Sequence, residues 1–169
     1  MIIKTADCEP KVHKSCYIVD NATIIGNVEL QEKSNVWFNA VLRGDINKIT
    51  VGKYSNIQDG CILHVSYDDE IQIGNFVTIG HSVTLHGCKI NDNVLIGMGS
   101  IIMDGAEIGK NSWIAAGTVI PPRKKIPENV MVMGNPYNIK REITEKEIKI
   151  VEDICKRYAE KYPLLYTNI

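Results

Sequence analysis

Aliphatic side chains recur at every sixth residue along most of the chain, with three small shifts of phase. The series consists only of Ile, Val and Leu, at Val12, Ile18, Ile24, Leu30, Val36, Leu42, Val51, Ile57, Leu63, Ile73, Ile79, Leu85, Ile90, Ile96, Ile102, Ile108, Ile114 and Ile120. The fifth residue of most hexads is small or β-branched, and Gly often follows the aliphatic residue. Six residues are too few for a helical hairpin or a propeller blade. The period therefore predicts a short strand and a corner, repeated as a solenoid.

Composition agrees with this prediction. The 169 residues include 26 Ile and 14 Val against 7 Leu, and only 7% are aromatic. β-Branched residues favour strands, and a narrow interior lined by Ile and Val leaves little room for rings. We therefore expect an all-β solenoid.

The repeat resembles the left-handed parallel β-helix of hexapeptide-repeat proteins, in which three hexads form one triangular coil. The resemblance covers residues 12 to about 122 and implies about six coils. Pro121 and Pro122 then predict the end of the repeat. A capping box from Thr144 to Glu147 and an apolar stripe predict an α-helix over about 143–162, packed on the outside of the prism. We expect a single domain, 1–169.

Charge and cysteine content narrow the function classes. The 19 Lys and Arg against 20 Asp and Glu give a net charge of −1, which offers no field for nucleic acid or an anionic membrane. No apolar run approaches the length of a membrane span. Five dispersed cysteines without a Cys-x-x-Cys pair, and an N-terminus unlike a signal peptide, favour the cytoplasm.

Three of the four histidines occupy informative positions in the repeat. His64 and His86 each follow the third aliphatic residue of a coil, so they should stack about 4.8 Å apart and converge on one metal ion. His81 belongs to the second hexad and projects from another face. It can reach the histidine pair of a neighbour if three prisms pack around a threefold axis. We therefore expect a homotrimer with interfacial metal sites; exposed surface histidines are the alternative.

Polar residues share the same columns. Arg43 lies one coil below His64, and Asp59 lies one coil below His81. Across the predicted interface these two side chains could form a bidentate ion pair, with Asp45 close by at a corner. An ordinary surface ion pair is the alternative.

These motifs together resemble the gamma-class carbonic anhydrase family. The matching runs are Arg43-Gly-Asp45, Asn56-Ile-Gln58-Asp59-Gly60, Leu63-His64 and His81-x4-His86-Gly87. The resemblance implies that His64, His81 and His86 bind zinc, with iron or cobalt as further options. It also implies an interface cluster of Arg43, Asp45 and Asp59. Gln58 would orient a metal-bound hydroxide that converts carbon dioxide to bicarbonate.

The sequence departs from the best-studied pattern of that family at two acidic positions. Ile46 and Tyr67 stand where that pattern has glutamates, so the chain resembles the subgroup that lacks the acidic loop. Slow proton transfer and weak hydration activity are expected, although Asp68, Asp69 and Glu70 follow nearby. Tyr158 on the helix stripe is a candidate to approach the metal, with plain core packing as its alternative.

Two other functions remain open from the sequence. The same solenoid hosts acyltransferases that use acyl-CoA, and Arg123, Lys124 and Lys125 could hold the cofactor phosphates. The chain could also bind a metal, or serve assembly, without turnover.

Overall fold

The computed structural model describes residues 1–166 and is a left-handed parallel β-solenoid of about seven turns with one C-terminal α-helix. The predicted fold class is confirmed. Three sheet faces form a triangular prism, and the chain visits each face once per coil. We call them the helix face, the histidine face and the open face.

The helix face is an eight-stranded sheet. Its strands are Tyr17–Ile18, Asn35–Val36, Asn56–Ile57, Thr78–Ile79, Leu95–Ile96, Trp113–Ile114, Val130–Met133 and Asn138–Glu142. The last strand runs antiparallel to the one before it, so the chain turns back at the end of the solenoid.

The other two faces are continuous with each other. Two longer strands, Thr23–Leu30 and Val41–Val51, bend over the shared corner and pair on both sides of it. The histidine face also contains Ile2–Ile3, Ile62–His64, Thr84–His86, Ile101–Ile102 and Val119–Ile120. The open face also contains Lys11–Val12, Ile71–Ile73, Lys89–Ile90, Glu107–Ile108 and Lys125–Ile126.

Equivalent hexad positions lie directly above one another. On the helix face, Ile79 is the register partner of both Ile57 and Ile96. The predicted aliphatic positions are buried except Val12 and Ile18, which lie in the first coil with nothing stacked beneath them. The core is therefore a column of aliphatic layers along the prism axis.

The repeat extends further than the sequence predicted. The period of six continues through Ile126 and Val132, both buried, and their strands pair with the coil below. Pro121 and Pro122 do not end the solenoid, because they occupy a corner where the fixed φ of proline is tolerated and no ladder N–H is required. The end predicted near residue 122 is therefore too early.

Several glycines that follow the aliphatic residue lie against the backbone of the next coil. A Cβ on Gly97 or on Gly109 would lie 2.5 Å from a backbone nitrogen of the next coil, so these positions admit close backbone approach. The left-handed corner conformation is often taken by asparagine, which tolerates it better than most residues. Asn93, Asn111 and Asn129 form such a column, their amides hydrogen-bonded at 3.1 and 2.8 Å.

The helix α1, Glu145–Glu160, packs on the helix face as predicted. Thr144 caps it in a full capping box with Glu147. Its buried residue Cys155 places Sγ 3.4 Å from Thr78 Oγ1 and 3.6 Å from Asn56 Nδ2. A short 3₁₀ helix, Tyr162–Leu165, follows. Neither helix in residues 1–166 has the length and apolar character needed to cross a membrane.

The aliphatic layers should dominate stability. We expect Ile102→Ala to lower the free energy of unfolding by about 2–5 kcal/mol, because Ile102 is fully buried and truncation leaves a cavity. The matched control, Ile139→Ala, changes a side chain that is 50% exposed and should cost much less. Denaturant unfolding of the two variants compares them directly. Equal losses would contradict the layered core.

Candidate metal centre

His64 and His86 are stacked on adjacent coils, as the register predicts. They are register partners on the histidine face, and His64 Nδ1 lies 3.0 Å from His86 Nε2. Two nitrogens bound to one tetrahedral metal at 2.0–2.1 Å would be roughly 3.3 Å apart. The two rings are therefore close to the spacing that a shared ion requires.

The outer nitrogen of each ring faces a carboxylate. His64 Nε2 lies 3.2 Å from Asp45 Oδ1, and His86 Nδ1 lies 2.6 Å from Asp104 Oδ1. A carboxylate accepts the N–H of the ring nitrogen that faces it, which leaves the other nitrogen of the ring directed at its neighbour. The result is a linear chain, Asp45–His64–His86–Asp104. The two inner nitrogens thus face each other, and a metal ion bound between them requires both to be unprotonated.

Arg43 supports this chain from the coil below. It is the register partner of His64, and its Nη1 donates to Asp45 Oδ2 at 2.6 Å. Partial burial opposes ionisation of Asp45. Hydrogen bonds from Arg43, from the backbone and from His64 outweigh that effect and lower the pKa of Asp45 below its ordinary value. Asp45 is therefore an anion at neutral pH.

His81 lies apart from this pair, at the corner after strand Thr78–Ile79 of the helix face. Its Nδ1 is 2.7 Å from Asp59 Oδ2, and Asp59 Oδ1 accepts the backbone N–H of Phe38 at 3.1 Å. Within one chain, over residues 1–166, no three His, Cys, Asp or Glu side chains come together in a way that could hold a metal ion. His81 is thus paired with Asp59 through Nδ1. Within residues 1–166 its other ring nitrogen, Nε2, does not meet the other candidate metal ligands.

Gln58 and Tyr158 lie on the same side as His81. All three line a cavity of about 540 Å³ between α1 and the helix face, and its described lining includes neither His64 nor His86. Gln58 is only 6% exposed, and its Nε2 donates to Asn56 Oδ1 at 3.0 Å. Tyr158 packs edge-on against Trp37, with ring centroids 5.3 Å apart. Tyr158 therefore packs against aromatic core residues and also lines the same cavity as His81.

Asp104 is the residue that sequence reasoning missed. The available signal was the hexad register, since Leu85 pairs with Ile102. Continuing that register by two residues places Asp104 beside Gly87, next to His86. A search for acidic residues one coil above each histidine would have found it.

The other candidate residues have mostly local partners. Asp69 lies 3.6 Å from Arg123, and Glu70 accepts a hydrogen bond from Gln72. Ile46 and Tyr67, which stand where the best-studied family pattern has glutamates, are both exposed. Arg123 lies at a corner with a φ of +58°, and Lys125 belongs to an open-face strand.

Comparison with known proteins identifies the family. The model of the family "Bacterial transferase hexapeptide (six repeats)" matches residues 87–122. A Methanocaldococcus jannaschii protein named "Probable carbonic anhydrase" is 48% identical over 148 residues, covering 88% of this chain and 93% of that protein. Gamma carbonic anhydrase 2, mitochondrial, of Arabidopsis thaliana is 34% identical over 93% of this chain.

The chain belongs to the gamma carbonic anhydrase family. It spans 59% of the length of the Arabidopsis member. A solved structure of a hexapeptide transferase family protein from Anaplasma phagocytophilum is also similar, with a TM-score of 0.90, 37% identity and 94% coverage of each chain. The Anaplasma protein therefore has the same fold as this chain.

The burial of Tyr158 should affect the stability of the protein at alkaline pH. Burial, and next the charge of Asp59, raise the pKa of Tyr158 to about 12, against about 10 for an unfolded tyrosine. The folded state thus favours the neutral phenol, and this contribution to stability is full below about pH 10 and lost as the pH rises towards 12. Tyr158→Phe should therefore lose less stability than the parent between pH 9 and 11 in denaturant unfolding. The exposed control Tyr67→Phe should follow the parent, and identical slopes for all three would contradict the assignment.

Proposed function

We propose that this protein catalyses the reversible hydration of carbon dioxide to bicarbonate at metal centres shared between the subunits of a homotrimer. His64 and His86 of one subunit and His81 of the next would bind zinc, with iron or cobalt as alternatives. The observation that carries the proposal is the pair of imidazole nitrogens 3.0 Å apart, each ring held from behind by an aspartate.

The donor set suits such an ion. Three neutral imidazoles leave a fourth position for water, as in catalytic rather than structural zinc sites. When bound, the metal would lower the pKa of a coordinated water to about 7. Imidazole accepts Zn²⁺, Fe²⁺ and Co²⁺, so the ligands do not select among them.

The remaining roles belong to the side chains around the ligands. Asp45 and Asp59 accept the outer N–H groups of His64 and His81 and fix their tautomers. Gln58, held by Asn56, would orient the attacking oxygen beside His81. The cavity lined by Gln58, His81 and Tyr158 is mainly apolar, which suits carbon dioxide better than charged solutes. Tyr158 would close one side of it.

Exposed apolar residues support the trimer. On the histidine face, Ile62 is 44% and Ile101 is 40% exposed, and both lie in the strands beside the histidine pair. Met98 and Met133, also exposed, line the cavity beside His81. Packing one surface on the other would bury both, and it would bring Arg43 of one subunit towards Asp59 of its neighbour. The trimer would thereby assemble the third ligand.

Transfer of the released proton to solvent would be the slow step of the proposed reaction. The positions that carry glutamates in the best-studied family pattern hold Ile46 and Tyr67, both exposed. Asp69 is engaged by Arg123, and Glu70 by Gln72. We therefore propose low hydration activity that depends on external buffer.

A cytoplasmic location would accord with five free cysteines.

Metal content provides the first test. The parent protein, purified without oxygen, should carry about one metal ion per subunit and hydrate carbon dioxide measurably. His64→Ala, His81→Ala and His86→Ala should each lower both quantities at least tenfold, because each removes one of three ligands. His13→Ala is the control, since His13 bonds to Ser15 on another part of the prism.

Each result of this test has a clear reading. A parent protein without metal contradicts the proposal. Metal without hydration supports a binding or assembly role instead. Turnover of acetyl-CoA without metal would favour acyl transfer, the alternative that the hexapeptide-repeat solenoid leaves open.

Sharing of the site between subunits can be tested by mixing. Trimers of His81→Ala alone, and trimers of the double variant His64→Ala/His86→Ala alone, should bind almost no metal. Trimers that contain both variants pair an intact His64 and His86 with an intact neighbouring His81 at one interface, so about one ion per mixed trimer should return. Unfolding, mixing and refolding followed by metal analysis measures this. Failure of stably mixed trimers to recover metal would show that the ligands do not meet across subunits.

A further inference from the structure

Among the three histidine–aspartate contacts found in residues 1–166, the contact between His86 and Asp104 is the shortest. Its Oδ1 lies 2.6 Å from His86 Nδ1, against 2.7 Å for Asp59 with His81 and 3.2 Å for Asp45 with His64. Asp104 follows strand Ile101–Ile102, one coil above His86. It therefore reaches the histidine from the side opposite to His64.

The position of Asp104 determines which nitrogen of His86 is available. A carboxylate accepts a hydrogen bond and cannot donate one when ionised, so the proton of neutral His86 is held on Nδ1. The lone pair of His86 then lies on Nε2, which is the nitrogen directed at His64. Without Asp104 the ring could place its proton on either nitrogen and could rotate.

The backbone leaves room for this contact at one place. A Cβ on Gly87 would lie 2.8 Å from Asp104 Oδ1 and 2.8 Å from Asp69 Cβ, and the φ of Gly87 is +51°. Any larger residue directly after His86 would displace the carboxylate. The backbone N–H of Arg123 also donates to the carbonyl of Asp104 at 2.7 Å, which holds this corner from above. The sequence His86-Gly87 thus admits the aspartate.

We propose that Asp104 is a positioning residue that holds His86 in the Nδ1–H tautomer and presents its Nε2 to the metal. The proposal rests on the proposed function for the identity of the ion, but not for the tautomer. Asp104 would act through His86, the histidine that its carboxylate contacts. Removal of such partners commonly costs 10–100-fold in metal affinity.

Zinc affinity and the His86 tautomer test the proposal together. Competition with a chelator of known affinity should show that Asp104→Ala binds zinc about 10–100-fold more weakly than the parent. Asp104→Asn keeps an acceptor oxygen but loses the charge, so it should fall between the two. The ¹⁵N shifts of the His86 ring in metal-free protein, assigned with His86→Gln, should show one tautomer in the parent and a mixture in Asp104→Ala.

A control separates positioning from stability. Asp68→Ala removes a nearby carboxylate that has no histidine contact within residues 1–166, and it should bind zinc like the parent. Thermal unfolding of the metal-free variants shows whether Asp104→Ala is folded, and Asp104→Asn serves if it is not. Zinc affinity within twofold of the parent, or an unchanged His86 tautomer, would overturn the proposal. If the parent itself binds no zinc, the proposed function fails, and the tautomer still decides the role of Asp104.

Discussion

The parallel backbone ladder between coils is the constraint on which the rest of this structure depends. It fixes the separation of neighbouring coils and places equivalent hexad positions above one another, as Ile57, Ile79 and Ile96 show. The same ladder that builds the core also sets side chains outside it into columns. His64 and His86 face each other because Leu63 and Leu85 are stacked inside. The same register therefore arranges both the aliphatic core and the histidines of the candidate metal site.

Much of this could be predicted because a period of six is a strong, long signal. The solenoid, the stacking of His64 on His86 and the capped helix all follow from spacing and from the Thr144 capping box. Pro121 and Pro122 predict an end of the repeat that the structure does not have, because a corner requires no ladder N–H from proline. The position of Pro121 at a corner of the coil outweighs the general tendency of proline to end a strand.

The unpredicted part of the centre lies in contacts between corners. Asp104 lies 18 residues beyond its partner His86 and belongs to no spacing motif, so it is found only when the register is continued beyond the strand. Asp45 and Asp59 were expected as interface residues, and each also holds a histidine within its own chain. One carboxylate can serve both contacts, since it has several lone pairs. The roles of these residues in metal binding stay predictions.

The reversal of the chain at strand Asn138–Glu142 affects how readily copies of the protein could join end to end. A solenoid presents an open strand edge at each end, and such edges can template the addition of further copies into fibres. Here the last strand of the helix face runs antiparallel to the others, so a further copy would meet a reversed strand at this edge. On the two other faces, Pro121 and Pro122 follow one terminal strand, and Lys125 lies in the other. Proline and lysine discourage edge pairing. Pro121, Pro122 and Lys125 thus disfavour the addition of further copies at this end of the solenoid.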